Sequence, residues 1–179
     1  AKNRGYEVLL MDTMLDPHYI NHLESKLKDT QFVRVDSDTV DKLIKKDENS
    51  ISKLTEADQK AIQPIIEGTV NKEQFTVVFE NLSEKDQPML ITRPEFMRRM
   101  KDMNQLGGGG MGAFYGNMPD MYNLVVNSNH PLISRIMNEK DEATQKNLAK
   151  QAADLALLSQ GLLKGESLTN FIKRSVELI

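Results

Sequence analysis

Leu148-Ala149-Lys150-Gln151-Ala152-Ala153-Asp154-Leu155-Ala156-Leu157-Leu158-Ser159-Gln160-Gly161-Leu162-Leu163-Lys164-Gly165, running on to Ile179, is the stretch that the rest of the chain must accommodate. Around Leu148 on a helical wheel, Ala152, Leu155, Ala156, Leu158, Leu162 and Leu163 fill a wedge of roughly 160°. Ala149 and Ala153 widen it to roughly 220°. A helix that packs on one core needs an apolar stripe only a little over ~100° wide. Gly161 and Gly165 offer cap and turn positions, and Ser167 is the expected N-cap of a second helix. In that helix Leu168, Phe171, Ile172, Val176, Leu178 and Ile179 share one arc, while Thr169, Asn170, Lys173, Arg174 and Glu177 lie opposite. The first of these helices carries more apolar surface than one neighbour covers and the second ends with its stripe intact, so either the rest of the chain or a second copy must pack on them.

The earlier residues supply limited cover. Glu7 to Met11 reads as a strand, Asp16-Pro17 as an N-cap and N1 pair, and Tyr19, Ile20, Leu23 and Leu27 as a helical face. Gln31 to Val35 alternates like a second strand, which predicts a right-handed βαβ piece that further elements must complete. Asp36 to Ser52 turns polar and marks a domain boundary. Thr55-Glu56-Ala57-Asp58 has the form of a capping box. Ala61, Ile62, Ile65 and Ile66 continue it as a helix that Pro64 should kink or split. Phe75–Phe79 and Met89–Thr92 read as an antiparallel strand pair around the loop Glu80 to Pro88. Thr92-Arg93-Pro94 opens a helix carrying Phe96, Met97, Met100, Met103 and Leu106. Pro119-Asp120 opens a short one with Met121, Tyr122, Leu124 and Val125. His130-Pro131 caps a third with Leu132, Ile133, Ile136 and Met137. The expected class is α+β: a βαβ segment, then a small antiparallel sheet with helices and a C-terminal helical hairpin.

Composition narrows the function classes. The 179 residues can bury a sizeable core. A net charge of -3 argues against nucleic acid as the main partner, because such binders usually show a basic surplus. Without cysteine there is neither a disulfide framework nor a thiolate metal site. No run approaches the length of a membrane helix, and Ala1 to Arg4 lack a signal-peptide core. Because the first residues run straight into strand-like sequence, the chain is expected to be a piece of a longer protein.

Three features invite a chemical reading. Gly107, Gly109 and Gly112 satisfy G-x-G-x-x-G formally, but the dinucleotide fingerprint needs a strand before it and a helix after it. Here a helix precedes, so a flexible loop is the simpler reading. A small-molecule or phosphate-binding domain centred on Gly107–Gly112 is the alternative. His18 and His22 are spaced to share a metal, yet neither a third ligand nor an intervening general base is evident. We identify no catalytic, cofactor-binding or metal-ligating residues. The third feature is a cluster of seven methionines, Met89, Met97, Met100, Met103, Met111, Met118 and Met121, in a chain without tryptophan. Methionine fills irregular cores and also recurs on adaptable binding surfaces. The residues alone favour the core.

Gly5-Tyr6-Glu7-Val8-Leu9-Leu10-Met11, Phe75 to Arg99, Asn127-x-Asn129-His130-Pro131-Leu132-Ile133 and Leu155-x-Leu157-Leu158-Ser159-x-Gly161 together resemble the C-terminal part of the ninety-kilodalton heat-shock chaperone family, most closely its bacterial HtpG members. The resemblance covers nearly the whole chain. It implies that residues 1–50 end a middle domain and that 51–179 form a dimerisation domain. The implied protein is a cytoplasmic, ATP-dependent, homodimeric chaperone for unfolded or partly folded clients. Its ATP and Mg would bind in an N-terminal domain outside this chain, which would therefore not itself be an enzyme. Two C-terminal hairpins would pair into a four-helix bundle through Leu155, Leu158, Leu162, Phe171, Ile172 and Val176. The segment matching the family's client-binding helix puts Met97, Met100, Met103, Leu106, Met111, Phe114 and Tyr115 on that surface. The chain departs from the family at Gly107 to Met118, where other members are often shorter and poorer in glycine.

Overall fold

The structure, a computed structural model, describes residues 7–13, 15–39, 52–94, 96–97 and 120–177. It divides into two compact units, one drawn from 1–46 with 93–120 and the other from 47–92 with 121–179.

In the first unit the described helix is α1, Asp16–Lys26. Its N-cap is Leu15 rather than Asp16, which stands one position inside the helix with Pro17 after it. The Asp16 carboxylate instead reaches back to accept hydrogen bonds from the Thr13 N–H and hydroxyl, at 2.7 and 2.6 Å. The expected flanking strands do not form: residues 7–11 and 31–35 join no sheet. A strand is stabilised by a hydrogen-bonded neighbour and a covered face. Leu9, Leu10, Val33 and Val35 have neither among the described residues and are exposed.

The second unit holds the core. α2, Glu56–Glu67, begins with the expected capping box, in which Thr55 and Asp58 exchange hydrogen bonds in both directions. Pro64 neither splits nor ends this helix, which runs on for a further turn. Proline deletes one donor, and the carbonyl of Pro64 still accepts the Gly68 N–H at 3.1 Å. The sheet consists of β1 (Phe75–Glu80), β2 (Met89–Thr92) and β3 (Tyr122–Asn127) in the order β1-β3-β2. It is mixed rather than antiparallel, because β3 lies between the two expected hairpin strands, parallel to β1 and antiparallel to β2. The segment expected as a short helix after Pro119 is this central strand. A brief apolar run is ambiguous between helix and strand, and β-branched Val125 and Val126 beside Tyr122 suit a pleated, fully covered position. Leu124, Val125 and Val126 are completely buried, and Tyr122 stacks on Phe75 across the parallel ladder at 5.1 Å between ring centres.

Three further helices complete the unit: α3 (Pro131–Asn138), α4 (Glu142–Ser159) and α5 (Gly165–Glu177). α2 packs on β1 and α4 on β2, while α3 touches both α2 and α4. His130 caps α3 as expected, its Nδ1 accepting the Leu132 N–H at 3.0 Å. The corner before α3 is held by two buried amides. Asn127 donates to the Ser83 carbonyl at 2.8 Å and accepts from the Asn129 N–H at 3.1 Å. Asn129 donates to the Leu82 carbonyl at 3.0 Å and accepts from the Lys53 N–H at 2.8 Å. A buried amide stabilises only when its groups are paired, and here both side chains tie the corner to distant loops. None of the described helices is long and apolar enough to cross a membrane.

Candidate functional site

The hairpin of α4 and α5 is defined at its ends by backbone chemistry. Asp141 caps α4 by accepting the Thr144 N–H at 2.8 Å. Its carboxylate is held below the usual range, first by the Thr144 hydroxyl and then by the backbone N–H. At the other end Gly161 takes a φ of 65°, the left-handed conformation that glycine adopts without strain. The Leu162 N–H then returns to the Leu157 carbonyl and the Gly161 N–H to that of Leu158, at 2.9 and 3.0 Å. This double closure is the Schellman arrangement. Gly165, also left-handed at 59°, opens α5, so Ser167 lies inside the helix rather than at its cap.

Packing divides the apolar wedge of α4 into two arcs. Leu148, Ala149, Ala152, Ala153, Ala156 and Leu157 are buried in the core of their own unit. Leu155 and Leu158 point away from it, 49% and 41% exposed. On α5 the division repeats. Phe171 is buried and Leu168 partly so, whereas Ile172 and Val176 are 54% and 69% exposed. Of the six residues expected at a dimer interface, four are therefore left uncovered on one hairpin. Of the other two, Phe171 is buried in the core of the unit and Leu162 is partly buried against it.

Between the two helices runs a polar seam that periodicity did not disclose. Asp154 is 1% exposed, and both of its oxygens are engaged. Arg174 Nη2 reaches Oδ2 at 2.5 Å and Lys150 Nζ reaches Oδ1 at 2.6 Å. Arg174 Nε also donates to Gln151 at 2.9 Å, and Gln151 donates to the Ser175 hydroxyl at 2.7 Å. Lys150 extends further to the Thr69 carbonyl just past α2, at 3.1 Å. Asp154 stands inside a run of alanines and leucines, and that interruption is the one sequence signal of a buried charge partner.

The remaining expected site residues lie elsewhere. Met97 sits half-buried in a helical turn with exposed Phe96. Met100, Met103, Leu106, Met111, Phe114 and Tyr115 fall outside the described residues, as do the glycines of 107–112. His18 and His22 are both exposed on α1. Among the described residues no three His, Asp or Glu side chains converge as metal ligands. What remains is an exposed apolar strip on two helices, Leu155 and Leu158 on α4 with Ile172 and Val176 on α5, backed by the core of their own unit.

A chaperone protein of Porphyromonas gingivalis, HtpG, is 44% identical over 161 residues, covering 88% of this chain and 23% of the relative. HtpG of Bacteroides fragilis is 34% identical over 246 residues, covering 100% of this chain and 36% of the relative. The chain thus spans between about a quarter and a third of the length of the curated relatives it matches. A family model described as Hsp90 protein matches residues 1–179, its whole length. With that match from end to end and relatives this similar, the chain belongs to the Hsp90 protein family.

Proposed function

We propose that this chain is the self-association and client-contact module of a cytoplasmic, ATP-dependent chaperone that assists unfolded or partly folded proteins. Residues 1–50 close a middle domain, and residues 51–179 form the dimerisation domain. The observation that carries this reading is the uncovered quartet Leu155, Leu158, Ile172 and Val176 on a hairpin whose opposite arcs pack on the core of its own unit. Paired with the same face of a second copy, the four helices form a bundle in which each exposed side chain meets its symmetry mate's neighbourhood. Isologous contact is the economical use of such a face, because one patch serves both partners. Met97 and the methionines that follow it offer the adaptable apolar surface suited to varied clients.

ATP and Mg act on this module from a domain outside it, and the chain does not hydrolyse nucleotide alone. Sedimentation equilibrium tests the central claim: the chain should be dimeric at micromolar concentration, and a monomer there overturns it. Nucleotide titration separates the alternative, since saturable binding lost on changing Gly107–Gly112 would instead mark a phosphate site.

A further inference from the structure

We propose that the buried Asp154–Arg174 pair is a register lock, fixing where α5 lies along α4 and so setting the spacing of Leu155, Ile172 and Val176 on the one face that a second copy of this chain covers. The inference rests on the self-association reading and names the residues that position its surface.

Three contacts define the register. Asp154 meets Arg174, Gln151 meets Arg174 through Nε, and Gln151 meets Ser175. Higher numbers on α4 pair with lower numbers on α5, so the two helices run antiparallel. On α4 the seam passes through Gln151 and Asp154, with Leu155 displaced around the helix in one rotational sense. On α5 it passes through Phe171, Arg174 and Ser175, with Ile172 and Val176 displaced in the same sense. In an antiparallel pair, equal rotational senses bring residues to the same side. The three exposed side chains therefore share one face, and the seam fixes how far along it Ile172 and Val176 stand from Leu155.

Apolar packing would not hold it. Leucine and alanine contacts are non-directional, and a hairpin seam made of them tolerates a slip of one turn. The charged pair does not. A slip in one direction sets Arg174 opposite Lys150, and in the other opposite Leu158. In the first case Asp154 would face Asn170 from α5 and in either case keep only Lys150 from its own helix, while Arg174 would be left without its carboxylate. Leaving one member of a buried pair unmatched is strongly unfavourable, whereas the pair as a whole adds little net stability over well-packed apolar residues. Such a pair selects among arrangements that hydrophobic burial leaves nearly equal. Asp154 and Arg174 are positioning residues, and neither belongs to the exposed face itself.

The test uses the whole chain with the double substitution Asp154→Leu and Arg174→Leu, and separately with Arg174→Lys. Lysine keeps the charge but presents one head group where arginine makes two contacts. The dimer dissociation constant, the melting temperature and the amide exchange of α5 below that constant are measured together. The double variant should melt at or above the parent temperature, yet dimerise on the order of tenfold more weakly or worse. Its α5 amides should exchange on the order of tenfold faster, reporting a helix no longer fixed in place. Arg174→Lys should move in the same direction by less, and it decides the matter if the double variant does not fold. Parental dissociation constants with parental α5 exchange in the folded variants overturn the lock. A parent chain that is monomeric overturns the self-association reading instead, and α5 exchange then judges the lock by itself.

Discussion

Replacing Ile172 by serine puts a number on the proposed interface. In the isolated chain this side chain is 54% exposed, so roughly half of its burial is still available. Full burial of an isoleucine side chain is worth about 1.5–3 kcal/mol, which leaves about 1 kcal/mol to be gained at an interface. A two-fold dimer contains the position twice, so Ile172→Ser should weaken association by about 2 kcal/mol. At about 1.4 kcal/mol per factor of ten, that is roughly a thirtyfold rise in the dissociation constant. Sedimentation equilibrium across a concentration series reads this directly. The melting temperature, extrapolated to concentrations where parent and variant are both monomeric, should change little, because most of the side chain is not part of the intramolecular core. A dissociation constant within threefold of the parent would show that α5 does not face a second copy through Ile172.

Three other outcomes follow from the same structure. Ile133→Ala removes a completely buried side chain between α3 and the rest of the core and should cost about 2–5 kcal/mol of stability, checked by chemical denaturation. A loss under about 1 kcal/mol would mean that the site collapses around the gap. Changing Met97 and Met100 to serine should leave the fold and the dimer intact and reduce capture of a chemically unfolded test protein. A large fall in melting temperature with unchanged capture would return those methionines to a core. The third outcome concerns acid. Hydrogen bonds from Thr55 and Thr144 hold Asp58 and Asp141 below the usual carboxylate range in the folded chain. As pH falls through about 4, the unfolded state therefore takes up protons first. The stability these groups contribute is complete above that value and disappears as pH drops through their lower folded-state pKa values. Asp141→Asn keeps a cap acceptor without a titrating group, so its melting temperature should fall less steeply below about pH 4. An unchanged slope would remove Asp141 from the acid response.

Local signals were legible where the chemistry itself is local. The capping box at Thr55–Asp58 and the histidine cap at His130 depend on neighbours within a few residues, and both formed as their spacing implies. The excess apolar width of α4 was equally plain, because helical periodicity reports which side chains share an arc whatever covers them. Its division into a core face and an open face was not. That depends on where β2, α2 and α5 lie, and Leu155 and Ala156 are adjacent letters with opposite fates. Phe171 makes the same point, since the arc it shares with Ile172 does not reveal which of the two turns inward.

The sheet went further astray for a related reason. Phe75–Glu80 and Met89–Thr92 were recognisable as strands, but pairing is a contest among all candidate neighbours. Tyr122–Asn127, the more thoroughly buried strand, took the place between them. A short apolar run carries no mark of its partner, so its conformation was settled by burial on both faces.

By itself, then, the sequence determined the caps at Thr55 and His130, the apolar surplus of the last two helices, and the family, because each is written in contiguous residues. Only the tertiary structure decided the strand order, the buried links made by Asn127 and Asn129, and the seat of Asp154 between Arg174 and Lys150. Those features join residues that are distant in the chain or separated by a turn. Their free energy exists only after the groups have been brought together out of water.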